Sequence, residues 1–480
     1  MHRQRTTAAG TVKGMEMTDT YDVIVLGAGS TGTNVAWYAR DNGLSVAVVE
    51  RELVGGECSY WACMPSKALL GPVHAVAAAR RLPGAAQAVT GEVDVDAVLA
   101  RRDSFISNLD DGAQASWVES IDAELIRGEA RLGGERQVEV TAGGSTRRLT
   151  ANRAVVIATG SRAAVPPVEG LRDVRTWDNR DVTTAKQIPE RLLILGGGVV
   201  GVEMAQAYRR LGAAEVTIIE MADRILTPYE PWVSELLTEA LTDEGVTVRT
   251  GVAAEKVARQ GTDGPVTVTL ADGSDLVGDE LLVSAGRTFN TDAIGLESVG
   301  LEPGGPLEVD DRLRVTGIDG DWLYAAGDVN GRALLTHQGK YQARLVGDIL
   351  AGKDREAWAD HRAIPQVVFT DPEIAAVGPT ATQARQAGIN VKVVSVPITS
   401  VAGAALVGDD IRGRAQLVID DDRRIVVGAT FVGPHVGELL HSATIAIVGE
   451  VPIDTLWHAV PAFPTVSEVW LRLLEADRGL

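Results

Sequence analysis

The sequence predicts an α/β chain: two Rossmann-like dinucleotide-binding units followed by an α+β C-terminal region. Three observations carry this. The pattern G-x-G-x-x-G occurs twice, at Gly27, Gly29 and Gly32 and again at Gly196, Gly198 and Gly201. Each copy lies between a short apolar run and a helix-like stretch, and each is followed by an acid at the end of a second apolar run. From Ile364 onward the pattern changes to alternating apolar and polar residues, the signature of an antiparallel sheet.

In the first unit, Tyr21 to Leu26 reads as a buried parallel strand, Thr33 to Asn42 as a helix, and Ser45 to Glu50 as the next strand. Glu50 lies 23 residues after Gly27. The glycines permit a tight turn and close approach of a pyrophosphate to the helix N-terminus, and the acid can bond ribose hydroxyls. The second unit repeats this plan: a strand from Leu192 to Leu195, a helix from Val202 to Leu211, and a strand from Val216 to Glu220, whose acid lies 24 residues after Gly196. Two complete fingerprints imply two dinucleotides, the arrangement of a flavoprotein reduced by a nicotinamide. A carboxylate at Glu220 bonds a ribose 2′-hydroxyl and repels a 2′-phosphate, which favours NADH over NADPH. Arg209, Arg210 and Arg224 are the nearby cations able to reverse that preference.

Gly55 to Lys67 holds the only two cysteines of the 480-residue chain, Cys58 and Cys63. A chain this poor in cysteine has no disulfide framework to maintain, so the pair points to redox chemistry. On a regular helix, positions i and i+5 have Cα atoms roughly 8–9 Å apart, whereas a disulfide requires less than about 7 Å. The helix start must therefore be broken or distorted, and Pro65 suits such a place. A helix N-terminus also lowers a thiol pKa. Met64 to Arg81 reads as a long alanine-rich helix, resuming towards Ala100 after Pro83. Tyr60 and Trp61, inside the cysteine spacer, either stack on an acceptor or pack inside.

Gly55-Gly56-x-Cys58-x4-Cys63-x-Pro65-Ser66-Lys67 resembles the redox-disulfide motif of the class I pyridine nucleotide–disulfide oxidoreductases, a family that includes lipoamide dehydrogenase, glutathione reductase and mercuric reductase. The resemblance runs from about Tyr21 to Glu475. It implies FAD in the first unit, NAD(P)H in the second and a C-terminal domain that forms a homodimer. The implied layout is a disordered tail over 1–20, an FAD-binding domain over 161's predecessors (21–160), an NAD(P)-binding domain over 161–285, a return to the FAD domain over 286–357 and an interface domain over 358–480. By family position Cys63 is the flavin-side thiol and Cys58 the interchange thiol. Lys67 lies near the flavin and pairs with Glu203. Gly56, Ala130, Thr159, Gly160, Gly286 and Asp328 stand at cofactor-contacting positions, with Asp328 on a ribityl hydroxyl. Asp328 also reads as a cap for a helix from Ala333 to Leu350. In the segment Leu335 to Gly339, backbone contacts outweigh His337.

One position departs from the pattern. The family's disulfide reductases end in His-Pro-Thr-x-x-Glu, with the histidine reaching over from the second subunit to exchange protons with the interchange thiol. Here the stretch is Phe463-Pro464-Thr465-Val466-Ser467-Glu468. Glu468 is retained and phenylalanine replaces histidine, which weakens ordinary dithiol catalysis. The chain also lacks the C-terminal cysteine pair with which mercuric reductases deliver metal. A quinone, a metal ion or another acceptor that needs no histidine is the alternative substrate, and a flavin redox sensor the alternative role.

Composition bounds the rest. The hydrophobic fraction of 45% supports large cores, and a formal net charge of −20 argues against nucleic acid or an anionic membrane as partner. No apolar run approaches the roughly 18 residues of a membrane span. The polar start lacks a signal peptide's apolar core, and Met15 and Met17 are candidate native starts. A reducing cytoplasm is the expected compartment, and no metal site is expected.

Overall fold

The computed structural model describes residues 19–480. Its first strand, Asp19–Leu26, begins two residues earlier than expected. Asp19 and Thr20 therefore belong to a sheet, and the remainder of the expected tail, 1–18, lies outside the described residues. In this sheet Glu124–Arg127, Val46–Glu50, Asp19–Leu26 and the end of Ser145–Ile157 run parallel in that order. Leu323–Ala325 adds a further parallel strand against Val155–Ile157. Val23 and Val25 face the helices Ser30–Asp41 and Thr336–Leu350, while Ile24 and Leu26 face a layer that includes Val138, Val140 and Leu323. Burial on both faces explains why this strand reads as an unbroken apolar run. After Gly128, the strands Glu129–Leu132 and Gln137–Ala142 pair antiparallel and continue onto the first half of Ser145–Ile157.

The second unit has four parallel strands in the order Val246–Arg249, Glu215–Ile219, Arg191–Leu195, Glu280–Val283, beside a three-stranded antiparallel meander. The chain passes between the two units twice. The crossings, Ser161–Ala163 and Arg287–Phe289, pair with each other as an antiparallel ladder. The C-terminal region is a five-stranded antiparallel sheet, with Val391–Pro397, Arg414–Asp420 and Ile425–Gly433 where the alternation placed them. Helices Val436–Val448 and Val469–Arg478 cover it, Trp470 lying edge-on to Phe431 with centroids 6.2 Å apart. Ile445, Val448, Val460 and Phe463 remain exposed on this region.

Several helix limits differ from expectation for local reasons. The glycine-turn helices begin at Ser30 and Val199, with Gly29 and Gly198 as N-caps. The third glycine of each fingerprint thus sits in the first helical turn. The helix after the cysteines spans Cys63–Arg80 and does not resume at Pro83; a separate helix, Val95–Phe105, starts at Asp94, whose carboxylate accepts the Ala97 N–H at 3.0 Å. Asp328 caps no long helix: it opens its own short turn, and the next helix starts at Thr336 rather than Ala333. Among the described residues no helix is long and apolar enough to cross a membrane.

Candidate functional site

The two glycine turns are near-copies in atomic detail. Gly27 has φ +97°, and a Cβ there would stand 2.5 Å from the Ala158 carbonyl oxygen; Gly196 has φ +111° and would meet the Ser284 oxygen at 2.6 Å. Gly32 and Gly201 each lie so close to the first glycine of their turn that a Cβ would come within 1.9 and 2.1 Å of its oxygen. At Gly29 and Gly198 the position of a Cβ is open space. Neither helix has a side-chain cap or an acid in its first turn, so the first N–H groups and the positive end of the dipole are left for an anion. That is the chemistry of a dinucleotide pyrophosphate, and the residues present fit one at each turn.

The acids repeat as well. Glu50 accepts the Ala28 N–H at 2.7 Å and the Glu52 N–H at 2.8 Å, one at each carboxylate oxygen. Glu220 accepts the Gly197 N–H at 2.7 Å and the Ala222 N–H at 2.8 Å in the same way. Each oxygen keeps a lone pair for a ribose hydroxyl. The three arginines able to offset Glu220 are engaged elsewhere. Arg224 donates to the Thr227 carbonyl at 2.7 Å, Arg209 to the carbonyls of Glu244 and Ala213, and Arg210 to the Glu244 and Asp371 carboxylates.

From the first turn a groove runs past Gly56, Thr159, Gly160 and Asp328 to Cys58, and its other end is lined by Gly128, Glu129 and Ala130. Asp328 is partly buried there, which raises its pKa, and accepts the Ser161 hydroxyl at 2.5 Å. Thr159 and Asn290 bind reciprocally, Thr159 Oγ1 donating to the Asn290 carbonyl at 2.8 Å and Asn290 Nδ2 to the Thr159 carbonyl at 2.9 Å. Gly286, with φ +119°, turns the chain beside Ala285, which lines the second groove with Gly196, Gly198 and Glu220.

The helix break that a disulfide demands is present. Cys58 lies on the short helix Gly56–Tyr60, Trp61 and Ala62 leave helical geometry, and Cys63 opens the next helix. Pro65 supplies the cause: the Trp61 carbonyl would accept from the N–H of residue 65, and proline has none. The thiols are free and hydrogen-bonded to each other. The bond from Cys58 favours the thiolate at Cys63 and outweighs burial, with help from Thr336 and the Lys67 ammonium, so the Cys63 pKa is held below its ordinary value. Cys58, donating that bond and partly buried, is pushed up. Thr336 Oγ1 lies 3.4 Å from the Cys63 sulfur and borders the groove, whereas His337 turns away to the Pro365 carbonyl.

Lys67 and Glu203 meet at 2.8 Å. The other Glu203 oxygen accepts the Phe369 N–H at 2.9 Å, and the Phe369 ring lies 4.6 Å from the lysine nitrogen. Tyr60 and Trp61 are buried, and Trp61 also borders the groove. At the C-terminus Phe463 is 74% exposed. Glu468 is buried; one oxygen accepts from Arg472 at 2.9 Å and the other has no partner among the described residues. No histidine among the described residues is hydrogen-bonded to either thiol. Sequence reasoning missed Thr336, Ser161, Asn290, Asn179 and Arg180 as site residues. Ser161 and Thr336 lie in or beside segments that the resemblance already marks, whereas Asn290, Asn179 and Arg180 reach the site through space from segments that carry no motif of their own.

Two dinucleotide cradles, one ending at a dithiol, define a flavoprotein oxidoreductase that relays electrons from a nicotinamide. The chain belongs to the pyridine nucleotide–disulphide oxidoreductases, whose family pattern matches residues 21–343, and the pattern of the family's dimerisation domain matches residues 364–473. It is 36% identical over 466 residues to a dihydrolipoyl dehydrogenase of Thermus scotoductus, covering 95% of this chain and 97% of that protein. It is 30% identical over 453 residues to a mercuric reductase of Staphylococcus aureus, covering 93% of this chain and 81% of that protein. Among solved structures, LpdA from Mycobacterium tuberculosis superposes with a TM-score of 0.82 at 26% identity, covering 96% of this chain and all of that one. The HOCl-induced flavoprotein disulfide reductase RclA from Escherichia coli shares the fold, with a TM-score of 0.82 at 24% identity over 95% of this chain and 99% of that one. The protein is thus an NAD(P)H-dependent, FAD-containing disulfide oxidoreductase of this family, with a domain that supports homodimer formation.

Proposed function

We propose that the chain carries two electrons from NADH, through FAD and the Cys58–Cys63 pair, to a small acceptor whose reduction needs no imidazole. The observation that carries this reading is the broken helix, which holds two mutually hydrogen-bonded thiols at the end of the first groove. Bound FAD supplies two-electron transfer between the nicotinamide and the disulfide. Lys67, fixed by Glu203, holds a positive charge that favours a thiolate at Cys63. Cys58, bordering the groove, is the thiol that meets the acceptor. Glu50 and Glu220 orient the two riboses, Asp328 anchors the ribityl chain, and the preference for NADH follows from a Glu220 carboxylate with no free arginine beside it.

The relatives include both dihydrolipoyl dehydrogenases and mercuric reductases, so their names leave the acceptor open. The replacement of histidine by Phe463 favours acceptors without a thiol leaving group, such as quinones or metal ions, over disulfides. The exposed apolar side chains of the C-terminal region support a homodimer, and the dithiol chemistry suits a reducing cytoplasm. The test is NADH oxidation by purified holoprotein against disulfides, quinones and metal ions, with Cys58→Ser and Cys63→Ser beside wild type. Sustained turnover that falls at least ~100-fold in both variants supports the relay, on the scale of lost covalent catalysis. Slow single reduction of the cofactor with no acceptor turned over would instead show a redox sensor.

A further inference from the structure

The break between the cysteines leaves a buried polar group to satisfy, and the structure satisfies it from the other nucleotide unit. Because Pro65 has no N–H, the Trp61 carbonyl has no helical donor, and an unpaired buried carbonyl is costly. Asn179, on the six-residue helix Asn179–Thr184, donates one amide hydrogen to that carbonyl at 3.1 Å and the other to Glu57 Oε2 at 2.8 Å. Thr183, one turn along, places its hydroxyl 3.1 Å from the same carbonyl. Between them Arg180 lays its guanidinium 3.9 Å over the Trp61 ring. Arg180 also binds Glu57 at 2.7 Å through Nε, and both Glu52 oxygens at 2.9 and 3.1 Å. The segment carrying these residues belongs to the second unit, since Trp177 bridges to Leu282 of its parallel sheet. Every group that the Asn179 and Arg180 side chains grip lies on the loop or spacer that holds the thiols.

Resting on the reading of Cys58 and Cys63 as a redox pair, we infer that Asn179 and Arg180 are positioning residues for the disulfide. They hold the four-residue spacer in the one bent form that brings the thiols together. Arg180 suits the task because its planar cation can stack on an aromatic ring and fork onto two carboxylates at once, which lysine cannot. Neither residue touches a sulfur. Their effect is on how often the two thiols stand within bonding distance, and hence on the stability of the bond between them.

The experiment equilibrates holoprotein with mixtures of reduced and oxidised glutathione. In that exchange the protein disulfide and two glutathione thiols give two protein thiols and one glutathione disulfide, so electrons and protons balance. Quenching with acid, alkylating and counting labels by mass gives the equilibrium constant for the protein disulfide. Arg180→Met is expected to weaken the disulfide at least ~10-fold relative to wild type and Asn179→Ala at least ~3-fold. Arg180→Lys should lie between Arg180→Met and wild type, because it keeps the carboxylate pairing and loses the stack. Cofactor content and melting temperature are measured alongside; if Arg180→Met fails to fold, Asn179→Ala and Arg180→Lys carry the comparison. Variants that fold, retain FAD and hold the disulfide within twofold of wild type would overturn the inference. A wild-type protein that forms no internal disulfide at any glutathione ratio would overturn the redox-pair reading beneath it instead.

Discussion

At the scale of single residues, Glu220 does two things that a sequence pattern cannot separate. Its two oxygens tie down the N–H groups of Gly197 and Ala222, and its charge faces the groove where the adenosine ribose of a nicotinamide dinucleotide would lie. Alanine at this position would remove both, confounding cofactor choice with loss of the turn. Glu220→Gln removes the charge and keeps an acceptor oxygen. It is expected to improve kcat/KM for NADPH relative to NADH by roughly tenfold, since like charges facing one another are strongly disfavoured. Steady-state kinetics with both nucleotides check this, and a wild-type protein that already prefers NADPH would refute it. The glycines and acids of both turns were legible because backbone sterics confine them to fixed local spacings. Arg180 and Asn179 were not, because their partners Glu57 and Trp61 lie more than a hundred residues away in the chain.

At the scale of elements, we propose that the segment Phe463 to Glu468 keeps most of a proton-handling device without its titrating ring. The buried Glu468 has one oxygen on Arg472 and one without a partner among the described residues, which leaves room for a donor. Phe463 is exposed, so replacing it removes little buried surface. Phe463→His is therefore expected to raise turnover with lipoamide or glutathione disulfide by ~10-fold or more, within the range of general acid–base assistance. A new ionisation near about pH 6–7 should accompany the gain. The decisive measurement is the pH profile of disulfide reduction in wild type and variant; fast wild-type turnover with such an ionisation already present would show that another histidine serves. The chain's secondary structure followed the same logic of legibility. The antiparallel strands after Ile364 emerged nearly in place because alternation is a local signal. Helix also resumes towards Ala100 as expected, although only from Asp94, whose capping carboxylate sets the boundary.

At the scale of the whole molecule, the helix that follows the cysteines joins all three regions. Its C-cap Arg81 binds Asp371 at 2.6 Å, and Arg210 of the second unit reaches the same oxygen at 2.9 Å. Gln206 of that unit brackets the Asp371 backbone at both its N–H and its carbonyl. His74 is partly buried at this junction; loss of water around it first, then the Arg210 charge, lowers its pKa to about 4. The sign follows directly. Between about pH 6.5 and 4 the unfolded chain binds a proton at His74 that the folded chain refuses. The stability tied to neutral His74 is complete above pH 6.5 and is lost as pH falls through that window. Melting temperature should therefore decline less steeply from pH 7 to 4.5 in His74→Gln than in wild type. Equal slopes by calorimetry of the holoprotein would show that His74 is not the group responsible.

The paired crossings, Ser161–Ala163 against Arg287–Phe289, have a consequence for how such a chain can be cut and rejoined. The second unit hangs from the first by a two-stranded stem whose ends are neighbours in space. In topological terms it is a cassette: it can be lifted out, or a foreign domain spliced in, without rerouting the sheet that holds Leu323–Ala325 beside Ile157. What resists such surgery is the side-chain traffic back to the host: Glu203 on Lys67, and Asn179 and Arg180 on the loop and spacer that hold the thiols, where the cassette helps shape the socket it was plugged into.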